Sequence, residues 1–247
     1  MKLDARLNLF ITLVAVFMTC LVVGDLIGGK LTSFTLFGHE WVFSAGQIAF
    51  PITFILTDII NEFYGRTVVR RVTFLAFFMV GLTFCIIYIS AQLPWASFAQ
   101  DAKWDEAGGV TPHVFSVVFT QATRIQIASM IAFLIGNLID IWVFFLLKKL
   151  TGNKHLWLRS TGSTAVSQLV DTIVISAFIW IGKVGFERYV TIVVTSYVVK
   201  LLAAIVVTPL IYAVHDVIEK KYNIHPAPAD VASADLDPPE APGVKED

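Results

Sequence analysis

The residues best able to do chemistry in this sequence are acidic and amide side chains set inside long apolar runs. In LTDIINEFYGR, Asp58, Asn61 and Glu62 follow the spacing i, i+3, i+4, which places them on one face of a helix. Two similar pairs, each three residues apart, occur in later apolar runs: Asn137 with Asp140, and Gln168 with Asp171. Carboxylate and amide groups that converge can hydrogen-bond a small polar solute from several sides.

Ionisable groups inside an apolar helix are costly, about 2.5–3.5 kcal/mol each on insertion scales, so they usually face a bundle interior or an aqueous cavity. Lys200, in SYVVKLLAAIVVTP, is predicted to be the charge partner of a buried carboxylate. Glu62 is predicted to pair with Arg66, four residues further on. Ser160, Ser163 and Ser167 also share a helical face, a pattern typical of helix packing.

The apolar runs are long enough to cross a membrane, since a span needs about 20 apolar residues. Six segments reach that length: roughly 7–28, 42–64, 72–93, 124–147, 161–182 and 189–214. Hydrophobic residues make up 56% of the 247 residues and charged residues only 15%, against about 25% in soluble domains. The sequence therefore predicts an all-α, polytopic membrane helix bundle with six transmembrane helices. A short additional helix is expected within Thr111 to Gln121.

The distribution of Lys and Arg predicts the orientation, because cytoplasmic links carry the excess of positive charge. Twelve of the 18 basic residues lie before span one or after spans two, four and six. Both termini are therefore expected to be cytoplasmic. Residues 1–222 are predicted to form the six-span domain, and 223–247 a disordered, acidic, Pro- and Ala-rich cytoplasmic tail.

Several function classes lack support in the sequence. The net charge of −1 offers no basic surface for nucleic acid. Cys20 and Cys85 lie in apolar runs and indicate neither a disulfide nor a metal site. The sequence contains no P-loop, zinc-protease or nucleophile-elbow motif, so neither a metal nor a cofactor is expected.

Movement of a small polar solute through a bacterial plasma membrane is the function that fits best, by a secondary transporter or a facilitator. Three alternatives remain. The chain could be the substrate-binding membrane subunit of a transporter with a separate ATPase, a membrane-embedded enzyme using Asp140 and Asp171 as an acid pair, or a scaffold. Its partners would be the solute and membrane lipid, and it could form a homo-oligomer.

Two stretches resemble the queuosine precursor transporter family, whose members were once described as vitamin uptake transporters. They are FPITFILTDIINEFYGRTVVRR and RIQIASMIAFLIGNLIDIWVFFLLKKLTGNKHLWLRSTGSTAVSQLVDTIVI. Lys200 followed by Thr208-Pro209 is similar to the family's last span. The resemblance covers about residues 7–222, with two departures: Asn137, where the family usually has Gln, and Arg159-Ser160-Thr161, where the family usually has Arg-Asn-Asn.

The resemblance implies uptake of the 7-deazaguanine precursors of queuosine, such as 7-cyano-7-deazaguanine (preQ0) and 7-aminomethyl-7-deazaguanine (preQ1), and no enzymatic activity. A carboxylate can accept the adjacent ring N–H and amine of a guanine-like base together. The predicted substrate-binding residues are Asp58, Asn61, Asn137, Asp140, Gln168 and Asp171. The predicted charge-partner or gate residues are Glu62, Lys200 and Arg124, the last at the outer mouth.

Overall fold

The computed structural model describes residues 4–28, 30–36, 38–120, 123–151, 155–182 and 185–227. Five long helices form the bundle: α1 (Ala5–Ile27), α2 (Phe50–Gln92), α5 (Thr123–Thr151), α6 (Leu156–Trp180) and α7 (Phe186–Tyr222). By length and apolar composition, α1, α2, α5 and α7 could each cross a membrane. The chain is thus a multi-pass membrane protein built as a helix bundle.

Helix α2 is 43 residues long and contains one break, at Gly65. Gly65 has φ 82° and ψ 171°, a backbone conformation that is essentially restricted to glycine. The structure therefore differs from the predicted link between spans two and three: Arg66 and the residues up to span three are helical. Pro51 occupies the first turn of α2, where proline is tolerated without a kink.

Residues 31–36 and 39–44 form a two-stranded antiparallel sheet that the sequence analysis did not predict. Strands β1 (Leu31–Leu36) and β2 (His39–Ser44) pair antiparallel, with Leu31 opposite Ser44. The predicted span 42–64 consequently begins too early, since a 3-10 turn, Ala45–Ala49, separates β2 from α2. The Ser44 hydroxyl accepts a bond from the Gly46 N–H at 3.2 Å and donates one to the Gly28 carbonyl at 2.7 Å, which joins the sheet to α1.

The link after α2 contains short helical pieces. A 3-10 turn (Ser97–Gln100) and α3 (Ala102–Glu106) precede α4 (Pro112–Phe115), which continues into a π-helical turn, Ser116–Thr120. The helix predicted within Thr111 to Gln121 is therefore confirmed for α4 and this turn. The Thr111 hydroxyl caps α4 by accepting a bond from the Val114 N–H.

The core lies around the first half of α2, where every residue from 55 to 65 is buried. Phe63 and Tyr64 are fully buried, and Phe144 of α5 packs in the same cluster. The chain after α7 joins this core, because Ile224 is buried there and the Ala227 N–H donates to the Glu62 carbonyl at 2.8 Å. The remainder of the predicted tail, 228–247, lies outside the described residues.

Candidate functional site

A stripe of polar side chains on α6 organises the interior of the bundle. Arg159, Ser163, Ser167 and Asp171 recur every four residues, and Ser160 stands beside them. Residues at this spacing lie above one another on one helical face. Arg159 and all three serines are buried, so the stripe faces the neighbouring helices.

The first partner of this stripe is Glu62 on α2, which is held between two cations. Its Oε1 accepts from the Arg159 guanidinium at 2.8 Å, and its Oε2 accepts from the Lys148 ammonium at 3.1 Å. All three side chains are at most 2% exposed, so this Glu62 cluster ties α2, α5 and α6 together away from water. The predicted pairing with Arg66 is wrong: Arg66 is exposed, while both Glu62 oxygens bind cations from other helices.

Further along the stripe, serine hydroxyls bind two more carboxylates. Ser160 donates to Asp58 Oδ2, and Ser167 donates to Asp140 Oδ1 at 3.1 Å. Ser163 also lies within hydrogen-bonding reach of Asp140. The Asp58 and Asp140 carboxylates are close enough to interact electrostatically. The two acids that were predicted to share a site from different spans are therefore neighbours.

Three buried polar atoms in this region have no hydrogen-bond partner among the described residues. They are Asp58 Oδ1 and both terminal atoms of Asn61, Oδ1 and Nδ2. Asn61 is 0% exposed and Asp58 is 1% exposed. A buried polar group without a partner usually costs about 1–3 kcal/mol, and such groups are rare in folded proteins. These atoms are able to receive the donors and acceptors of a ligand.

A second ion pair lies where α6 faces α7. The Lys200 ammonium binds Asp171 Oδ2 at 2.5 Å and also sits 5.2 Å from the centre of the Phe50 ring. Lys200 is thus paired with the half-buried Asp171 carboxylate, and its role in a site stays a prediction. Gly136 lies against Asp171, since a Cβ at that position would be 3.3 Å from the Asp171 Cβ.

The amide residues predicted for α5 and α6 lie on inward-pointing helical faces but are only partly buried. Asn137 is half-buried on the face of α5 that also carries the buried residues Ile141 and Phe144. Gln168 is half-buried between Thr164 and Thr172, which precede and follow it by one turn. The Arg124 side chain lies outside the described residues.

Several residues of this interior were missed or misread in the sequence. Lys148 and Arg159 look like basic ends of spans, and the three serines look like a packing surface. Asp25 of α1 was not singled out, although its Oδ1 accepts from Ser129 at 2.9 Å and it lies near Asp171. The position of Asp25 inside an apolar run is the sequence signal that could have identified it. Within the described residues, no group of three His, Cys, Asp or Glu side chains could hold a metal ion.

Comparison with known proteins shows which family this chain resembles. Residues 44–214 match a protein family described as "Putative vitamin uptake transporter". A Bacillus subtilis protein named "Probable queuosine precursor transporter" is 27% identical over 170 residues, which is 68% of this chain and 69% of that protein.

An Escherichia coli protein named "Queuosine precursor transporter" is also 27% identical, over 165 residues, which is 65% of this chain and 67% of that protein. A Haemophilus influenzae relative, named "Probable queuosine precursor transporter", is 28% identical over 52% of this chain and 48% of its own length. No solved structure matches the chain. The matched residues include the α6 stripe and the carboxylates on α2 and α5 that contact it. The chain belongs to this family of transporters.

Proposed function

We propose that this protein imports queuosine precursors, the 7-deazaguanines 7-cyano-7-deazaguanine and 7-aminomethyl-7-deazaguanine, across a bacterial inner membrane as a secondary transporter or facilitator. Bacterial relatives named for queuosine precursors support the substrate class. The observation in this chain that carries the proposal is the set of buried, unpartnered polar atoms on Asp58 and Asn61.

These atoms suit one edge of a guanine-type base. That edge presents a ring N–H and an amine side by side, next to a carbonyl oxygen. The Asn61 amide can donate to the carbonyl and accept from the neighbouring ring N–H, while Asp58 Oδ1 can accept from the amine. Asp140 lies close enough to contribute a second carboxylate, and we place Asn137 and Gln168 at the border of the site.

Asp171 has a different role in this proposal. Its carboxylate is already paired with Lys200 at 2.5 Å, so the pair can respond to a ligand by separating. Charges inside membrane helices generally mark solute pathways. We therefore propose that Asp171 and Lys200 line the pathway, with Glu62 holding the opposite end of the polar stripe closed.

We further propose six membrane crossings with both termini in the cytoplasm. Gly65 is non-helical and divides α2 into two helical segments, and each segment would cross the bilayer once, with Gly65 between the crossings. Arg66, Arg70 and Arg71 then lie on the cytoplasmic side, as the distribution of basic residues requires.

Two of the alternatives can be separated from this proposal. The enzyme alternative has no support from a family of transporters. A substrate-binding subunit would need a separate ATPase, so it would not accumulate substrate when purified and reconstituted alone. Uptake by this single chain in lipid vesicles would support an independent transporter.

The decisive experiment measures uptake of labelled 7-cyano-7-deazaguanine in cells unable to make it, read as queuosine in tRNA. Wild-type protein should restore queuosine, and Asn61→Leu and Asp140→Asn should not, at matched membrane levels. Asp105→Asn, an exposed acid in α3, is the matched control and should behave as wild type.

Asn61→Leu also separates a binding role from a structural one. Leu removes two unsatisfied polar atoms, so the free energy of unfolding should rise by about 1 kcal/mol or more while uptake is lost. A variant that is destabilised and still transports would contradict the role given to Asn61. Failure of well-expressed wild type to restore queuosine would overturn the substrate assignment.

A further inference from the structure

A cavity of about 170 Å³ lies where the start of α2 meets the middle of α7. It is separate from the unpartnered atoms of Asp58 and Asn61, which do not line it. Its walls include Gln47 from the 3-10 turn before α2, Phe50 and Phe54 from α2, and Lys200 from α7.

Two of these walls are aromatic. Phe50 and Phe54 are one turn apart on α2, with ring centres 6.0 Å apart and ring planes at 40°. The Lys200 ammonium lies 5.2 Å from the Phe50 ring centre, so a cation covers one side of that ring. Flat faces with a nearby charge favour a flat, polarisable ring over an aliphatic solute.

One polar group in the cavity is left without a partner. Gln47 Oε1 is buried and has no hydrogen-bond partner within the described part of the chain. A carbonyl oxygen in this position accepts an N–H from the edge of a ligand, while the rest of the ligand contacts the aromatic walls. The cavity is thus suited to a heteroaromatic ring that carries N–H groups.

The cavity and the candidate site lie along the same face of α2. Phe50, Phe54 and Asp58 follow at intervals of four residues, so they lie on one helical face. Phe54 precedes Asp58 by one turn, which is about 6 Å along the axis. A base held on the two phenylalanines would therefore need to move only about one helical turn to reach Asp58.

We propose that this cavity is a second subsite for the transported 7-deazaguanine, occupied before the base reaches Asp58 and Asn61. One ring of the base packs against Phe50 and Phe54, and an edge N–H donates to Gln47 Oε1. A cavity of about 150 Å³ holds one benzene ring, so this one holds one ring of the bicyclic base with the other in its opening. The inference rests on the proposed function and adds residues that set specificity.

The first test compares the Michaelis constant, KM, for uptake of labelled 7-cyano-7-deazaguanine into reconstituted vesicles. Gln47→Ala should raise KM about three- to tenfold, the range expected for losing one hydrogen bond, and Phe50→Leu should raise it comparably. Gln100→Ala and Phe78→Leu are the matched controls, since both residues are exposed and outside the cavity, and both should match wild type.

A second measurement leaves Gln47 and Phe50 in place, so it does not depend on whether the protein folds without them. In a background where Cys20 and Cys85 are Ser, Ile48→Cys places a thiol at the cavity, where Ile48 is 67% exposed. Substrate should slow its labelling by a membrane-impermeant maleimide severalfold. Labelling of Val110→Cys, at a residue 51% exposed outside the cavity, should be unaffected.

The outcomes separate the two proposals. Wild-type uptake with KM unchanged in both cavity variants, or with no protection at Ile48→Cys, overturns the second subsite and leaves the transport function standing. Absence of wild-type uptake overturns the proposed function together with this subsite. Raised KM in both variants, with protection confined to Ile48→Cys, supports the subsite.

Discussion

Replacing Glu62 by Gln should destabilise the protein more than any exposed charge removal. The substitution keeps the shape of the side chain but removes the negative charge that binds Lys148 and Arg159 at 3.1 and 2.8 Å. Each of these side chains is at most 2% exposed, so water cannot replace the lost partner. The two cations would then lie side by side without the carboxylate between them.

The size of the effect follows from this burial. Removing one member of a buried ion pair costs about 3–5 kcal/mol, because the remaining charge is left uncompensated. An exposed pair contributes about 0–1 kcal/mol. Asp216 and Lys220 form such a pair on α7, with exposures of 56% and 75%, so Asp216→Asn is the control.

The free energy of unfolding can be measured by titrating the purified protein in mixed micelles with a denaturing detergent. Glu62→Gln is expected to lose about 3 kcal/mol or more, and Asp216→Asn about 1 kcal/mol or less. Adding Lys148→Met to Glu62→Gln should recover part of the loss, because one uncompensated cation is removed. A Glu62→Gln protein as stable as the Asp216→Asn control would refute the reasoning.

Two further substitutions test other parts of the fold. Gly65→Ala should lower the free energy of unfolding by about 1–3 kcal/mol, since φ 82° with ψ 171° is strained for any residue with a Cβ, whereas Gly81→Ala, within a regular helix against the flexible end of a Met side chain, should cost less. Equal losses in detergent titration would contradict this. Asp171→Asn should destabilise by about 3 kcal/mol because Lys200 stays buried without its counter-charge, and the double variant Asp171→Leu with Lys200→Met should regain stability without regaining uptake.

Local spacing predicted a large part of the candidate site. The i, i+3 and i, i+4 patterns on α2 and α5 placed Asp58, Asn61 and Asp140 inside the bundle, and the structure brings the two acids together. Lys200 was expected to neutralise a carboxylate and does so with Asp171. Such predictions succeed because a charged side chain in an apolar helix almost always faces the bundle interior or a water-filled cavity.

Partners remote in sequence could not be predicted in the same way. Glu62 has Arg66 one turn away, and only the packing of three helices shows that Lys148 and Arg159, 86 and 97 residues away, bind it instead. The serines of α6 were ambiguous for the same reason, since small residues serve close packing and hydrogen bonding equally well. Their role emerges only once carboxylates stand opposite them.

The strands were missed because span counting assigned residues 42–44 to span two and left 29–41 as a link, without regard to backbone conformation. Residues 31–44 contain three Phe, two Leu and two Thr, and Glu40 is the one charged residue among them and up to the following helix. Gly38, between the strands, has a positive φ of 73°, a conformation that favours glycine. The distinction between extended and helical backbone therefore rested on turn chemistry, which span counting ignores.

The two ends of the polar stripe on α6 are built differently, and this difference bears on how a solute could pass. At the Arg159 end, Glu62 is enclosed by two cations, and its carbonyl accepts from Ala227, so three helices and the chain after α7 are held together. At the Asp171 end, the pair with Lys200 adjoins a cavity of about 170 Å³. A solute bound at Asp58, as proposed above, would have a cavity on one side and a closed ionic cluster on the other. Passage toward the closed side requires the Glu62 contacts to separate, and Gly65, three residues away, is where the α2 backbone already departs from the helix.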